Sequence, residues 1–319
     1  MLYVPVITPF DTDGTVAWPA LEALAHDLLA DGATGLVALG TTGEPSSLTA
    51  DERRDVLDLL AAVCREHQAP LIVGANDPDQ LRVLADRPAV TAALSLVPPF
   101  LRPGEEGAIA HLQALAAQSP VPLVVYHVPY RTAQPLTAAA LHRLAATPNI
   151  TGIKFAPGVI DPGVVAFLAA PPTGFTVLAG DDVLLAPLLA LGAHGGILAS
   201  AHVGTAAYAR LVTAWRTGDL PVARPLGQRL AGLSAALFAE PNPTVIKAVL
   251  HADGRIPTPQ VRLPLLPAAP ESLQQVLDQI PEIVRWGQVP AARDGLGATP
   301  APTPAAGRAQ PKTPGLPVR

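Results

Sequence analysis

Eight short runs of β-branched or apolar residues recur along the first two hundred positions, each followed by a longer stretch. The runs are Tyr3–Ile7, Gly35–Leu39, Leu71–Gly74, Ala93–Val97, Leu123–Tyr126, Gly152–Phe155, Thr176–Leu178 and Gly196–Leu198. Between them, Ala17–Ala30, Ala50–Glu66, Gly104–Gln118 and Thr137–Ala146 carry apolar residues at helical spacing. Strands that alternate with helices pair in parallel, because each helix returns the chain to the starting end of the sheet. Runs apolar on both faces belong to strands covered on both faces. Eight of them favour an α/β architecture closed as a (β/α)8 TIM barrel over an open doubly wound sheet. No G-x-G-x-x-G follows the first run, which weakens a dinucleotide-binding reading. Thr49 before Ala-Asp-Glu, and Asp182 before Val183, have the chemistry of helix caps.

The strand signal ends near Ser200, so residues 1–201 are read as the barrel. Residues 202–288 are read as a helical extension packed on it, through His202–Thr217, Val222–Phe238, Pro243–Ala252 and Glu271–Gln279. Residues 289–319 are rich in Pro and Ala, with no acid after Asp294, and are expected to form a disordered tail. With 49% hydrophobic and 15% charged residues, the chain has ample material for a large core. A net charge of −5 builds no basic face, so no nucleic-acid partner is expected. The single cysteine, Cys64, excludes an internal disulfide and a Cys-based zinc site. It fits a reducing compartment. The opening MLYVPVITPFD has neither a basic leader nor a small-residue cleavage site, and a cytoplasmic location is expected. Val183 to Ala209 lacks Asp, Glu, Lys and Arg, but Pro187, Gly192, Gly195 and Gly196 interrupt it and His194 and His202 sit inside it. A buried helix, loop and strand explain that stretch, and no membrane partner is expected.

In such a barrel, chemistry gathers at the C-terminal ends of the strands. The second run ends in Gly40-Thr41-Thr42-Gly43-Glu44. Glycines bracketing two hydroxyls let the backbone approach a ligand and aim N–H groups at an anion, or make an ordinary turn. The fifth run leads into Tyr126-His127-Val128-Pro129-Tyr130-Arg131-Thr132. There a phenol suits proton transfer or plain packing, and an arginine suits bidentate carboxylate binding. The sixth contains Lys154, one of three lysines in a chain with 18 arginines. Desolvation lowers a lysine pKa from about 10.4 and frees the amine to attack a ketone. The alternative is a lysine snorkelling from the barrel rim. Scarcity and strand-end placement favour the nucleophile. Gly180-Asp181-Asp182 is read as helix-capping acids that complement a dipole. Asp11-Thr12-Asp13-Gly14 opens like a calcium loop, but Val16 stands at its sixth position, so it is read as a turn. The eight histidines show no paired metal spacing, and no metal is assigned.

Together these segments resemble the dihydrodipicolinate synthase / N-acetylneuraminate lyase family of pyruvate-dependent class I aldolases. GTTGEPSSLTADER resembles the family's GTTGE segment, YHVPYRT its YNVP-x-RT, and GIKFAPG its Schiff-base GIK segment. AGDD, GAHGGILASAHV and FAEPNPTVIKAVL follow in the family's order, and the match runs from about Tyr3 to Pro267. The resemblance implies that Lys154 forms an imine with pyruvate and that Thr41 and Thr42 hold its carboxylate. The backbone of Ile197 would line the pocket. Tyr126 would shuttle protons as the imine becomes an enamine, and Arg131 would bind the carboxylate of an aldehyde. No cofactor is implied beyond this covalent imine. A homo-oligomer, dimer or tetramer, is implied as the assembly. The synthase branch, toward lysine, is the first expectation. Another 2-keto-acid aldolase or dehydratase of the family is the second.

One departure bears on the chemistry. The family's P-Y-Y-x-R-P appears as Pro98-Pro99-Phe100-Leu101-Arg102-Pro103. In synthases the second tyrosine reaches into the neighbouring subunit's site to complete a relay with the groups matching Thr41 and Tyr126. Phe100 cannot donate or accept that proton. The segment around Ala75–Ala89 is shorter than usual, and the polar groups of the allosteric lysine site are not recognisable there. A non-catalytic keto-acid-binding barrel is the competing class. Phe100 speaks for it, and the intact Lys154, Tyr126 and Thr41 set speaks against it.

Overall fold

A computed structural model describes residues 1–288, and in it all eight expected strands form. They are β1 Leu2–Pro5, β2 Gly35–Ala38, β3 Leu71–Gly74, β4 Val90–Leu96, β5 Leu123–His127, β6 Ile150–Phe155, β7 Thr176–Ala179 and β8 Gly195–Ile197. Each pairs in parallel with its sequence neighbours, and β1 closes the barrel on β8 through Leu2↔Gly196 and Tyr3↔Ile197. The expected tail at 289–319 lies outside the described residues.

Side chains alternate across this closed sheet and divide the core in two. Val37, Ile72, Leu94, Val124, Leu178 and Ile197 fill the barrel interior. Ile153 and Phe155 of β6 point outward into the layer between strands and helices. Lys154 lies between them and therefore points inward. The same parity places Tyr126 of β5 inside, as the register partner of Lys154.

The helices form where cap chemistry and apolar periodicity agree. Helix Ala50–Glu66 opens on a capping box: Thr49 Oγ1 accepts the Glu52 N–H, and the Glu52 carboxylate accepts the Thr49 N–H. Val56, Leu57, Leu60, Val63 and Cys64 make its buried stripe. Truncating one of those leucines to alanine costs about 2–5 kcal/mol through lost burial and the cavity left behind. Leu185–Ala190 is the buried helix expected within Val183–Ala209, whereas Pro78–Arg82 and Pro162–Ala169 are short helices in connections where the sequence pattern alone gave no clear period.

After β8, Ala199–His202 forms a 3₁₀ turn, so the next helix starts at Thr205 rather than at His202. Thr205–Thr217, Leu220–Leu237, Thr244–Ala252 and Pro270–Leu277 match the expected extension, and Ile280–Gln288 adds one helix not foreseen. Tyr208, fully buried, meets Ser234 Oγ at 2.7 Å and joins the first two of these helices. Met1–Gln288 forms one compact unit. Among the described residues, no helix is long and apolar enough to cross a membrane.

Candidate active site

At the C-terminal mouth of the barrel lies a cavity of about 540 Å³. Thr41, Thr42, Tyr126, Arg131 and Lys154 all line it, although they come from three separate stretches of sequence. Lys154 is 8% exposed, and its Nζ sits 4.3 Å from the centroid of the Tyr126 ring. Their strands are hydrogen-bonded neighbours in register, so a rigid sheet sets this spacing rather than a loop. Gly180, at the end of β7, leaves room for the lysine stem. A Cβ there would stand 2.9 Å from Lys154 Cγ.

Thr41–Gly43 forms a 3₁₀ turn directly after β2. Glu44 then takes a left-handed conformation at φ 54°, and the turn's Gly43 carbonyl accepts the Thr8 hydroxyl at 2.8 Å. Thr42 Oγ1 accepts a hydrogen bond from Asn242 Nδ2 at 2.9 Å. Asn242 and Phe238 line the cavity from the helical extension, and the Asn242 Oδ1 is buried without a partner. Arg131 sits at the exposed rim, and among the described residues its guanidinium has no ion-pair partner.

The acids of Gly180-Asp181-Asp182 do not act as the helix caps expected from sequence. Asp181 instead accepts the Tyr130 hydroxyl and the Gly158 N–H, both at 2.7 Å, and ties two cavity-lining loops together. Partial burial, reinforced by the Asp181 carboxylate, pushes the Tyr130 phenol upward. Asp182 is buried in the cavity wall and accepts the Ser200 N–H at 2.6 Å. Burial raises its carboxyl to about 6, with the Ser200 hydrogen bonds and the nearby Lys154 pulling the other way. The turn that follows begins at Asp182 itself, so its carboxylate is free to cross to β8's end rather than fold back on its own backbone.

Ile197, expected at the pocket, and Phe100, the departure from the family pattern, both lie apart from this cavity. Ile197 is fully buried in the barrel interior and is not among the cavity-lining residues. Phe100 is 89% exposed with φ 66°, on a loop outside this cavity, and its neighbour Leu101 is 82% exposed. Sequence reasoning did not single out Asn242 or Asp182 as part of the site. Asn242 lies within FAEPNPTVIKAVL, yet only the fold brings it to Thr42, 200 positions away.

An inward amine, a phenol beside it and a threonine turn bracketed by glycines are groups suited to imine chemistry on a small carboxylate. Comparison with known proteins agrees. Residues 1–283 match the family model described as the dihydrodipicolinate synthetase family. The 4-hydroxy-tetrahydrodipicolinate synthase of Neisseria meningitidis serogroup B is 34% identical over 269 residues, covering 83% of this chain and 91% of that one. The crystal structure of a chloride-inhibited dihydrodipicolinate synthase from Acinetobacter baumannii, complexed with pyruvate, superposes with a TM-score of 0.82 at 32% identity, covering 88% and 98%. A structure described as the first monomeric dihydrodipicolinate synthase variant gives a TM-score of 0.83 at 26% identity, covering 88% and 95%. The barrel, the inward lysine and these matches converge: the chain belongs to the dihydrodipicolinate synthetase family.

Proposed function

We propose that the protein is a 4-hydroxy-tetrahydrodipicolinate synthase-type lyase that condenses pyruvate with an aldehyde through an imine on Lys154. The observation that carries this reading is the pairing of Lys154 with Tyr126 across β5 and β6, inside a cavity that also holds Thr41 and Thr42.

The Lys154 amine attacks the pyruvate ketone carbon, and loss of one water leaves the imine. The hydroxyls and amides of Thr41 and Thr42 hold the carboxylate, which aligns the ketone with the amine. A proton leaves the methyl carbon through the Tyr126 hydroxyl, which gives up its own proton as it accepts this one, and the C–H electron pair moves into the enamine. The enamine carbon attacks the aldehyde carbon, and the resulting alkoxide is protonated. The amino group of the condensed aspartate semialdehyde then attacks the imine carbon and displaces Lys154, closing the ring and returning the amine. With an aldehyde that has no amine, water does so. Arg131 receives a carboxylate on the aldehyde substrate, which favours aspartate semialdehyde. No bound cofactor enters these steps, because the imine itself is the electron sink. The exposed Phe100 and Leu101 suit contact with a second copy of this chain in a homo-oligomer. A cytoplasmic location fits this metabolism.

Reduction with borohydride in the presence of pyruvate, followed by peptide mass spectrometry, tests the assignment. The adduct is expected on Lys154 and is lost in Lys154→Arg, whose guanidinium stays charged and cannot form the imine. An adduct on Lys247 instead would sink it.

A further inference from the structure

Glu44 follows the Thr41–Gly43 turn, and its φ of 54° is one that a residue bearing a Cβ keeps only when its surroundings hold it there. Here a buried ion pair holds it. Lys247 Nζ, on a side chain with no exposure, donates to Glu44 Oε1 at 2.5 Å. Glu44 Oε2 accepts the backbone N–H of Arg262 at 2.9 Å. Lys247 also donates to the Gln260 carbonyl at 2.9 Å and sits 4.0 Å from the Phe10 ring centroid. The Arg262 guanidinium lies 4.4 Å from the same ring and grips both Glu52 oxygens, at 2.6 and 2.8 Å.

The turn is thus tied at two points to one helix, Thr244–Ala252, and the residues just before it. Asn242 holds Thr42 and Lys247 holds Glu44. A pair buried this deeply is a weak source of net stability, because desolvating two charges offsets most of their attraction. An apolar pair would fill the same space, but it would not fix a carboxylate and thereby a backbone conformation.

We propose that the Lys247–Glu44 pair is a positioning device for keto-acid binding, which sets the Thr41–Thr42 turn to receive the substrate carboxylate. Affinity for the keto acid then depends on the seating of helix Thr244–Ala252. This rests on the reading of Thr41 and Thr42 given above. The charged groups facing Lys247 among the described residues are Glu44 and Arg262, with Glu52 behind Arg262. Burial lowers the Lys247 ammonium to about 8, against the pull of Glu44. Raising the pH through that value discharges the lysine and loosens the turn.

The experiment measures the pyruvate dissociation constant from the borohydride-trapped fraction of the full chain, between pH 7 and 9.5, alongside the trapping rate at saturating pyruvate. For the native protein the constant should rise about tenfold across that range. Lys247→Met should raise it tenfold or more at pH 7 and flatten its pH dependence, while the saturated rate stays within threefold of native. A purely structural pair would lower the melting temperature and leave the constant alone. A Lys247→Met constant within twofold of native would overturn the proposal. If that variant does not fold, the native profile decides: a constant that is flat or falls with pH overturns it equally. Failure of the native protein to trap pyruvate on Lys154 at any pH is a separate result, which removes the imine reading and this proposal with it.

Discussion

Gly180→Ala puts one methyl group against the stem of Lys154, the proposed imine-forming residue. The new Cβ would lie 2.9 Å from Lys154 Cγ, 3.2 Å from Lys154 Cε and 3.0 Å from Ala156 Cβ. Ordinary carbon contacts fall at about 3.5–4.0 Å, so one of the partners must retreat by roughly 0.5–1 Å. Ala156 is fully buried and its Cβ is fixed to the backbone, which leaves Lys154 to move. Gly180 is not among the glycines with positive φ, so alanine adds no backbone strain and the test is steric. Overpacking of this kind costs about 1–3 kcal/mol of stability. Misplacing a reacting group by about 1 Å costs on the order of 10²-fold in rate. Imine formation, followed by rapid quenching into borohydride, should therefore slow by roughly 30- to 100-fold, with unfolding shifted by no more than the overpacking cost. A variant that loses about 1–3 kcal/mol of stability and still forms the imine within threefold of the native rate would refute the reasoning. The lysine would then reach its ketone from a geometry that Gly180 does not set.

Arg131→Ala should weaken use of a carboxylate-bearing aldehyde by about 1.5–3 kcal/mol, the range for a hydrogen bond to a charged group, and leave pyruvate trapping intact. Equal losses in both steps would mean that Arg131 holds pyruvate or supports the loop. Phe100→Tyr adds a hydroxyl at an 89% exposed position, so the melting temperature should hold within the small range of surface changes. Turnover with pyruvate and aspartate semialdehyde should rise tenfold or more if this loop reaches a second copy's site, as general acid–base groups supply about 10²–10⁴-fold. Unchanged turnover would detach Phe100 from the relay. Asp182 is held at about 6, above the unfolded value near 3.8, so its share of stability is present in acid and is lost as pH rises through 6. Asp182→Asn removes that loss. The unfolding free energy of the variant relative to native should climb by about 2–2.5 kcal/mol between pH 4 and 7, and a flat difference would show that Asp182 titrates normally.

The barrel was legible because a buried parallel strand is written as an unbroken apolar run, and eight such runs survive inspection of the sequence. Lys154 was legible for the opposite reason, as a charge interrupting one. Parity along β6 alone directs it inward between Ile153 and Phe155. Asp181 and Asp182 were misread, because an acid before a helix has the same local signature whether it caps that helix or reaches across to another loop. The hydrogen bonds from Gly158 and Ser200 that decide the matter come from other strands' ends. Lys247 and Glu44 lie 203 positions apart, and neither carries any spacing rule that names the other. Exposure was equally invisible for Phe100, whose motif located it in a segment but not on a surface.

Phe238 and Asn242 have a consequence for how this molecule comes into being. They line the cavity, yet they follow all eight strands in the chain. A ribosome adding about 5–20 residues per second finishes β8 several seconds before it delivers them into reach of Thr42. In that interval the nascent barrel has its amine and phenol in register but an open wall beside the turn. In refolding, closing β1 on β8 and seating Asn242 on Thr42 both span about 200 positions, and the second needs the barrel mouth that the first forms. Recovery of imine trapping should therefore lag behind recovery of the strand signal, and ligand binding would report the last event of assembly rather than the first.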